Sequence, residues 1–207
     1  MSKRRRDRED AEAEAEAVAE AEELGLSPRP GGPWDALEVT ADDGRLDMGG
    51  LRIRASEGLQ MQVQMDEQTG AVSLVTLSAA DGAVQVQAFA APRSSGIWSD
   101  VRAQLASSIT SSGGLVEEAG GEFGTELRAK VPGQGGQLQS ARFVGVDGPR
   151  WFLRGLFLGS AASAGGNPTL EAVFRDIVVV RGDDAMAPGD ALALRLPDGA
   201  QATRAEG

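Results

Sequence analysis

The stretch "ARFVGVDGPRWFLRGLFL", residues 141–158, decides the fold of this 207-residue chain. Its second half is apolar on both faces of an extended strand, with Arg154 as the one exception. A strand of this kind is either central in a sheet that is covered on both sides, or it presents one face to a partner. Its first half also alternates like a strand, so the whole stretch predicts a central β-hairpin.

The turn of this hairpin is predicted at residues 147–150, "DGPR". This turn places Val146 opposite Trp151, and the same register places Phe143 opposite Arg154. The guanidinium of Arg154 is then shielded from solvent, and a buried charge without a partner is strongly destabilising. We expect a structural partner, either a carboxylate or the ring of Phe143. The functional alternative is that Arg154 binds an anion or a carboxylate of a ligand.

Alternating runs upstream of the hairpin predict an antiparallel meander. The run "LQMQVQM", residues 59–65, places four apolar side chains on one face and glutamines on the other. Turns that contain glycine join it to residues 71–78 and 83–90, which alternate in the same way, and residues 51–55 add a fourth predicted strand. One face of the meander is expected to be exposed to solvent.

The apolar period changes to that of a helix in two places. Apolar residues recur at helical spacing over residues 97–109, with Ser95 as the predicted N-cap and a pair of glycines as the stop. A second helix is predicted over residues 169–177, and further strands over 122–131 and 139–146. The order of strands, helix, strands and helix predicts an α+β fold with a largely antiparallel sheet and helices packed on it.

Three segments are predicted along the chain. Residues 1–33 combine an arginine cluster with an Ala/Glu repeat and a Pro/Gly-rich end, which is typical of a disordered charged tail. The alternative for this tail is a docking arm whose arginines meet an acidic partner. Residues 34–197 are expected to form a single α+β domain, and residues 198–207 a short flexible C-terminus.

The composition argues against several classes of function. The chain has no Cys, His or Tyr, so the commonest general base, thiolate nucleophiles and cysteine-held metals are missing. Paired acidic residues stand mostly beside turns, where Asp is favoured for backbone reasons. We therefore expect no metal, no cofactor and no metal-dependent or nucleophilic hydrolase activity, and whether the protein is an enzyme at all stays open.

Charge and hydropathy also limit the partners. A net charge of −11 argues against a nucleic-acid binder, which usually presents a basic face. No apolar run in the sequence is long enough to span a bilayer, and the basic start is followed by an Ala/Glu repeat in place of an apolar segment, so we expect no secretory signal. The simplest expectation is a cytoplasmic protein that binds neither nucleic acid nor membrane.

The stretch "GSAASAGGNPTLEAVFRD", residues 159–176, resembles a phosphate-binding loop only superficially. It contains neither the Walker spacing nor the dinucleotide-binding glycine pattern. Asn167 is a good N-cap, Pro168 suits the first helical position, and Glu171 favours the positive end of a helix. A capped helix start accounts for these residues; the alternative is an anion site at the helix terminus, where Glu171 would repel the anion.

Several longer motifs resemble those of one family. These are "GPWD" (32–35), the "LRIRA" and "LQMQVQ" strands, "SGIWSDVRAQLASSI" (95–109), "GPRWFLRGLFLG" (148–159), "LEAVFRDIVVVRG" (170–182) and "PGDALALRLP" (188–197). They resemble an uncharacterised actinobacterial family, domain of unknown function 3710, over most of residues 30–197. The resemblance implies no activity. By architecture alone, the order of elements is also similar to the PsbP-like fold, and a fold does not fix a function.

Two functions remain as expectations. The first is a non-catalytic interaction or assembly protein that binds a protein partner through the apolar hairpin or the N-terminal arm, with homo-oligomerisation left open. The second is a domain that binds a small anionic ligand. The arginines proposed for that ligand are Arg142, Arg154, Arg175 and Arg181.

Overall fold

The computed structural model describes residues 29, 31–40, 43–65, 72–93, 96–133 and 137–197. Most of the predicted N-terminal tail and all of the predicted C-terminal segment 198–207 lie outside these residues. Within the tail, Arg29 is described and already contacts the fold, because its guanidinium lies 5.4 Å from the ring centroid of Trp151. It also pairs with Glu38 at 2.9 Å.

The described residues form two sheets and two α-helices. In chain order the elements are β1 Trp34–Asp35, β2 Leu46–Asp47, β3 Leu51–Ile53, β4 Gln60–Met65, β5 Val72–Ala79, β6 Gly82–Ala90, α1 Trp98–Ser111, β7 Leu115–Gly121, β8 Gly124–Pro132, β9 Leu138–Gly148, β10 Trp151–Gly159, α2 Pro168–Asp176 and β11 Val178–Val179.

The larger sheet has seven strands in the order β4-β5-β6-β10-β9-β8-β7, and every neighbouring pair is antiparallel. The smaller sheet has the order β1-β11-β3-β2, in which β1 and β11 are parallel. The predicted α+β fold with a largely antiparallel sheet is confirmed. The central position predicted for the strand Trp151–Gly159 is also confirmed, because β10 has three strands on each side.

The predicted register of the central hairpin is wrong by two residues. Trp151 pairs with Gly148, not with Val146, and Arg154 pairs with Gly145, not with Phe143. The turn is shorter than predicted because two residues, Pro149 and Arg150, suffice to close it. A shift of two residues keeps every side chain on its predicted face, since strand side chains alternate with a period of two.

Gly148 explains why this register is preferred. A β-carbon at Gly148 would lie 2.2 Å from the indole of Trp151, so only glycine leaves room for the ring opposite it. Arg150 completes the turn with a φ of 64°, and proline before it fixes the first turn residue.

Three further expectations are corrected. Residues 51–53 belong to the smaller sheet as β3 and do not extend the meander. The strand predicted from residue 122 begins at Gly124, because a separate strand, β7, precedes it and pairs with β8. Helix α1 has Ile97 as its N-cap residue, and Ser95 lies outside the described residues.

An acidic side chain of another element caps helix α1. The carboxylate of Asp147, near the end of β9, accepts from the backbone N–H of Ile97 at 2.8 Å and of Trp98 at 3.2 Å. Asp147 is buried, so the cap also ties the helix to the central hairpin. The predicted cap of the second helix is confirmed, because Asn167 accepts from the N–H of Leu170 at 3.1 Å.

Each face of the large sheet packs against a different layer. On one face, α2 and the smaller sheet enclose the main core, and Phe174 packs onto Gly155 of β10. On the other face, α1 packs on β7, β8 and β9, and the indole of Trp98 lies against Gly145. A β-carbon at Gly145 would lie 2.2 Å from that indole, so the close approach of the helix requires glycine.

Candidate functional site

The face of the large sheet on which α1 packs is called the α1 face. A stack of three aromatic rings runs across it and has an arginine at each end. The rings of Trp98 and Phe152 have centroids 5.8 Å apart, and those of Phe152 and Phe89 are 5.9 Å apart. The guanidinium of Arg102 lies 5.6 Å from the Trp98 ring, and that of Arg154 lies 5.3 Å from the Phe89 ring. Arg154 therefore ends a cation–aromatic stack that begins on the helix.

The partners of Arg154 differ from those predicted. Its Nη2 donates to Oε1 of Gln87, which lies directly opposite on β6. No carboxylate of the described residues forms an ion pair with Arg154, and its ring partner is Phe89 in place of Phe143. The register of β9 and β10 places Phe143 opposite Leu156, and the pairing of β10 with β6 places Gln87 opposite Arg154. A neutral amide thus takes the place of the expected ion pair.

Burial lowers the pKa of Arg154. Desolvation disfavours the charged form of a side chain, and Arg154 is half-buried with no described carboxylate to compensate. An arginine nevertheless keeps its proton in proteins. The strand therefore carries a partly desolvated cation whose described partners are all neutral.

A second stack crosses the opposite face of the sheet. The rings of Phe157 and Phe174 have centroids 5.4 Å apart, and those of Phe174 and Phe123 are 5.1 Å apart, both edge to face. Arg142 lies 4.4 Å from the centroid of Phe157, and Arg175 lies 5.0 Å from that of Phe123. Two of the four predicted arginines therefore end this stack, while Arg154 lies on the other face.

The bonds of Arg142 are directed inside the fold. Its side chain is 1% exposed and pairs with Glu126 at 3.2 Å and with Glu171 at 2.6 Å. Its Nε also donates to the carbonyl of Ala161 at 3.2 Å. Glu126 is itself fully buried and bonds Arg128 as well. This arrangement is a buried ion network that links three elements of the domain.

The glycine-rich loop after β10 is hydrogen-bonded to the same ion network. The carboxylate of Glu171 accepts from the backbone N–H of Gly165 at 2.9 Å as well as from Arg142. Glu171 thus holds the loop and the buried arginine together through one carboxylate. The capped helix start predicted for this stretch is confirmed.

The remaining predicted arginines are also bonded within the chain. Arg175 forms an ion pair with Glu122. Arg181 donates to the carbonyl of Arg150 at 3.2 Å and to that of Asp184 at 3.0 Å. The structure does not bring the four arginines together at one site, and ligand binding by them stays a prediction.

Half of the α1 face has no described element over it. Helix α1 packs on β7, β8 and β9, and Leu156 and Leu158 of β10 lie at the border of its apolar cluster. This arrangement leaves the side chains on this side of β4, β5 and most of β6 uncovered within the described part of the chain. We call this surface the open face. Its residues are Gln60, Gln62, Gln64, Leu74, Thr76, Ser78, Ala83, Gln85, Gln87, Arg154, Leu156 and Leu158.

The open face is almost free of charge. Arg154 is its one ionised side chain, although a quarter of the whole chain is charged and the net charge is −11. The three outer glutamines are exposed, while the leucines and Arg154 are half-buried. Such depletion of charge, with a half-buried arginine, resembles the interior of a protein interface more than ordinary surface.

A concave site lies on the opposite face of the sheet, at the β7 end. It has a volume of about 610 Å³ and is bordered by β7, β8, β9 and the loop Ala162–Ala164. Lys130 donates to the hydroxyl of Ser140 at 2.7 Å there, and Arg128 reaches the same cavity. A serine–lysine nucleophile would use this residue pair, and both side chains are exposed here.

The sequence matches the model of a family described as a protein of unknown function, DUF3710, over residues 32–203. The chain belongs to the DUF3710 family. No curated protein and no solved structure matches the chain. The similarity to the PsbP-like fold and the actinobacterial origin therefore stay predictions. None of the described helices is long and apolar enough to cross a membrane.

The matched region of this DUF3710 chain begins at Gly32, a residue that packs closely against helix α2. A β-carbon at Gly32 would lie 2.1 Å from the carbonyl oxygen of Arg175, at the end of α2. Trp34 then starts β1 beside β11. The residues of the "GPWD" motif thus pack against helix α2 and strand β11.

Proposed function

We propose that this DUF3710 protein is a non-catalytic interaction protein that binds another protein on the open face. The observation that carries the proposal is Arg154, a half-buried cation at the border of an otherwise uncharged surface, bonded by the described residues only through a neutral amide and an aromatic ring. The partner's matching surface would place a carboxylate on Arg154 and small apolar or amide side chains around it.

The shape of the open face supports a protein partner over a small molecule. Small-ligand sites are concave and enclose most of the ligand surface. The open face is the surface of a sheet, and helix α1 borders it on one side only within the described part of the chain. An extended face with a half-buried Arg154 is better suited to another protein surface, because arginine is among the residues that most often contribute large binding energies at protein interfaces.

The chemistry of Arg154 supports a carboxylate as the partner group. A guanidinium binds a carboxylate with two parallel hydrogen bonds, and the amide of Gln87 uses only one nitrogen, Nη2. Gln87 is itself oriented, because its Nε2 donates to the carbonyl of Ser73 at 3.0 Å. The guanidinium is therefore held in place before a partner arrives, which reduces the ordering entropy lost on binding.

Affinity capture from the native cells with the full chain as bait tests this proposal. Arg154→Glu should lose the partner that the wild type retains, because the reversed charge repels the partner's carboxylate. Arg195→Glu is the matched control, since Arg195 is exposed in the segment after β11 and its side chain pairs only with Asp47 among the described residues. The same proteins captured by both variants and by the wild type would overturn the proposal.

A second candidate function is binding of a small anionic ligand in the 610 Å³ cavity. Lys130 there bonds a neutral hydroxyl and Arg128 is 41% exposed, so both cations can reach a ligand. A thermal-shift screen with nucleotides and acidic metabolites tests it, since a ligand that binds the folded state raises the melting temperature. The shift should disappear in Lys130→Gln and persist in Arg154→Gln; no shift with any compound would reject this candidate.

A further inference from the structure

The strand β4 ends the seven-stranded sheet, and its outer side is not paired with any described residue. Gln60, Gln62 and Gln64 are exposed along it. An unpaired edge offers a row of backbone N–H and C=O groups to any strand that can align with it. Natural proteins usually protect such edges with lysine, proline or a covering element.

β4 has little of this protection. Its sequence, QMQVQM, contains no charged residue, no proline and no glycine. A register irregularity at Gln64 and Met65 disturbs only its last residues. In a chain with a net charge of −11, six consecutive uncharged residues on an exposed edge leave that edge free to pair.

The opposite edge of the same sheet is protected. β7 carries Glu117 and Glu118 side by side, together with Gly120 and Gly121. Two copies that paired through β7 would bring these carboxylates together, which is destabilising for directly opposed like charges. The contrast between the two edges indicates that the sheet permits self-association at β4 and opposes it at β7.

We infer that β4 pairs antiparallel with β4 of a second copy of this chain, around a two-fold axis near Gln62. A two-fold axis perpendicular to the sheet keeps the faces of the two copies aligned, so glutamines oppose glutamines and Met61 opposes Val63 on the other face. Glutamine amides both donate and accept hydrogen bonds, so identical residues can pair across the axis. This inference does not depend on the proposed function, because it uses the edge of the sheet and not Arg154.

The interface is small. Pairing of six-residue strands buries less than the roughly 1,200–2,000 Å² of a stable protein interface. The dimer should therefore dissociate on dilution. Added salt should strengthen it, because salt screens the repulsion between two chains of net charge −11.

Sedimentation velocity of the full chain over a range of concentrations tests the inference. The wild type should shift from monomer to dimer as concentration rises, and more so at higher salt. Gln62→Glu should stay monomeric, as should Gln62→Lys, whereas an equimolar mixture of the two variants should form a heterodimer. Gln104→Glu on the exposed side of α1 is the matched control, since it adds the same charge and should leave the dimer intact.

Three results would overturn the inference: a wild type that is monomeric at every concentration and salt, a dimer that Gln62→Glu leaves unchanged, or variants that fail to associate when mixed. Circular dichroism of each variant shows whether it is folded, and position 62 is exposed, so both variants should fold. Arg154→Glu should leave the dimer unchanged, which separates this test from that of the proposed function.

Discussion

Arg154 and Gln87 lie directly opposite each other on β10 and β6, and the guanidinium donates to the amide oxygen. This neutral pairing gives Arg154 an orientation without neutralising its charge. By contrast, Arg142 on the neighbouring strand is enclosed by two carboxylates on the other face of the sheet. The two arginines should therefore respond very differently to substitution.

Arg154→Gln should destabilise the fold only slightly, by about 1 kcal/mol or less, because it removes one hydrogen bond and a partly exposed cation–aromatic contact. Urea unfolding followed by circular dichroism measures the change. A loss of several kcal/mol would mean that Arg154 has a structural ion partner after all.

Arg142→Met should destabilise the fold by about 3–5 kcal/mol, because it leaves buried Glu126 without its cation. The double variant Arg142→Met, Glu126→Gln should recover part of this loss. Arg128→Gln is the matched control, since Arg128 bonds the same carboxylate from a 41% exposed position and should cost much less. Equal losses for Arg142→Met and Arg128→Gln would contradict the buried network.

Gly145→Ala should destabilise the fold by about 1–3 kcal/mol, because the new methyl group overlaps the indole of Trp98. Thermal unfolding measures this loss, and the near-ultraviolet circular dichroism should change as the ring moves. Gly120→Ala in β7 is the control, because nothing lies within 4 Å of its added β-carbon and the substitution should be neutral or stabilising. A melting temperature unchanged in Gly145→Ala would mean that helix α1 does not approach the sheet this closely.

The stability of the fold should decline in acid partly through Asp47. The backbone N–H of Gly49, and then the side chain of Arg195, hold the pKa of Asp47 below its ordinary value of 3.8, against the opposing effect of burial. A lowered pKa in the folded state stabilises the fold above the unfolded value, and this contribution is lost as the pH falls through the folded value.

Asp47→Asn should therefore flatten the dependence of stability on pH below about pH 4, with little change in that slope near neutrality. Arg195→Gln should flatten it less, because the Gly49 bond remains. Urea unfolding at a series of pH values measures both effects. A slope below pH 4 that is identical in Asp47→Asn and the wild type would contradict the assignment.

Local sequence patterns predicted the elements that depend on local chemistry. The alternation of residues 59–65, the Asn167 cap and the apolar central strand all correspond to observed features. The hairpin register was missed because two-residue closure depends on Gly148 accommodating the Trp151 ring, a contact that periodicity does not report. β7 was missed because its residues LVEEAGG have weak strand propensity and form a strand through pairing with β8.

The candidate site was only partly predictable. Arg154 stands out in the sequence as a single charge in an apolar strand, but its neighbours depend on the strand order. Phe89 and Gln87 are more than sixty residues away in sequence, and only the placement of β6 beside β10 brings them to Arg154. The cap from Asp147 to the start of α1 depends in the same way on a tertiary contact that no local signal shows.

Site-specific photo-crosslinking in the native cells tests the central claim most directly. A photoreactive residue at Gln85, in the middle of the open face, should crosslink one other protein, and Arg154→Glu in the same chain should abolish that product. The same residue placed at Gln104, on the exposed side of α1, should not give it. A product that forms equally from Gln104, one that survives Arg154→Glu, or the absence of any protein crosslinked to Gln85 would contradict the claim that the open face binds a protein.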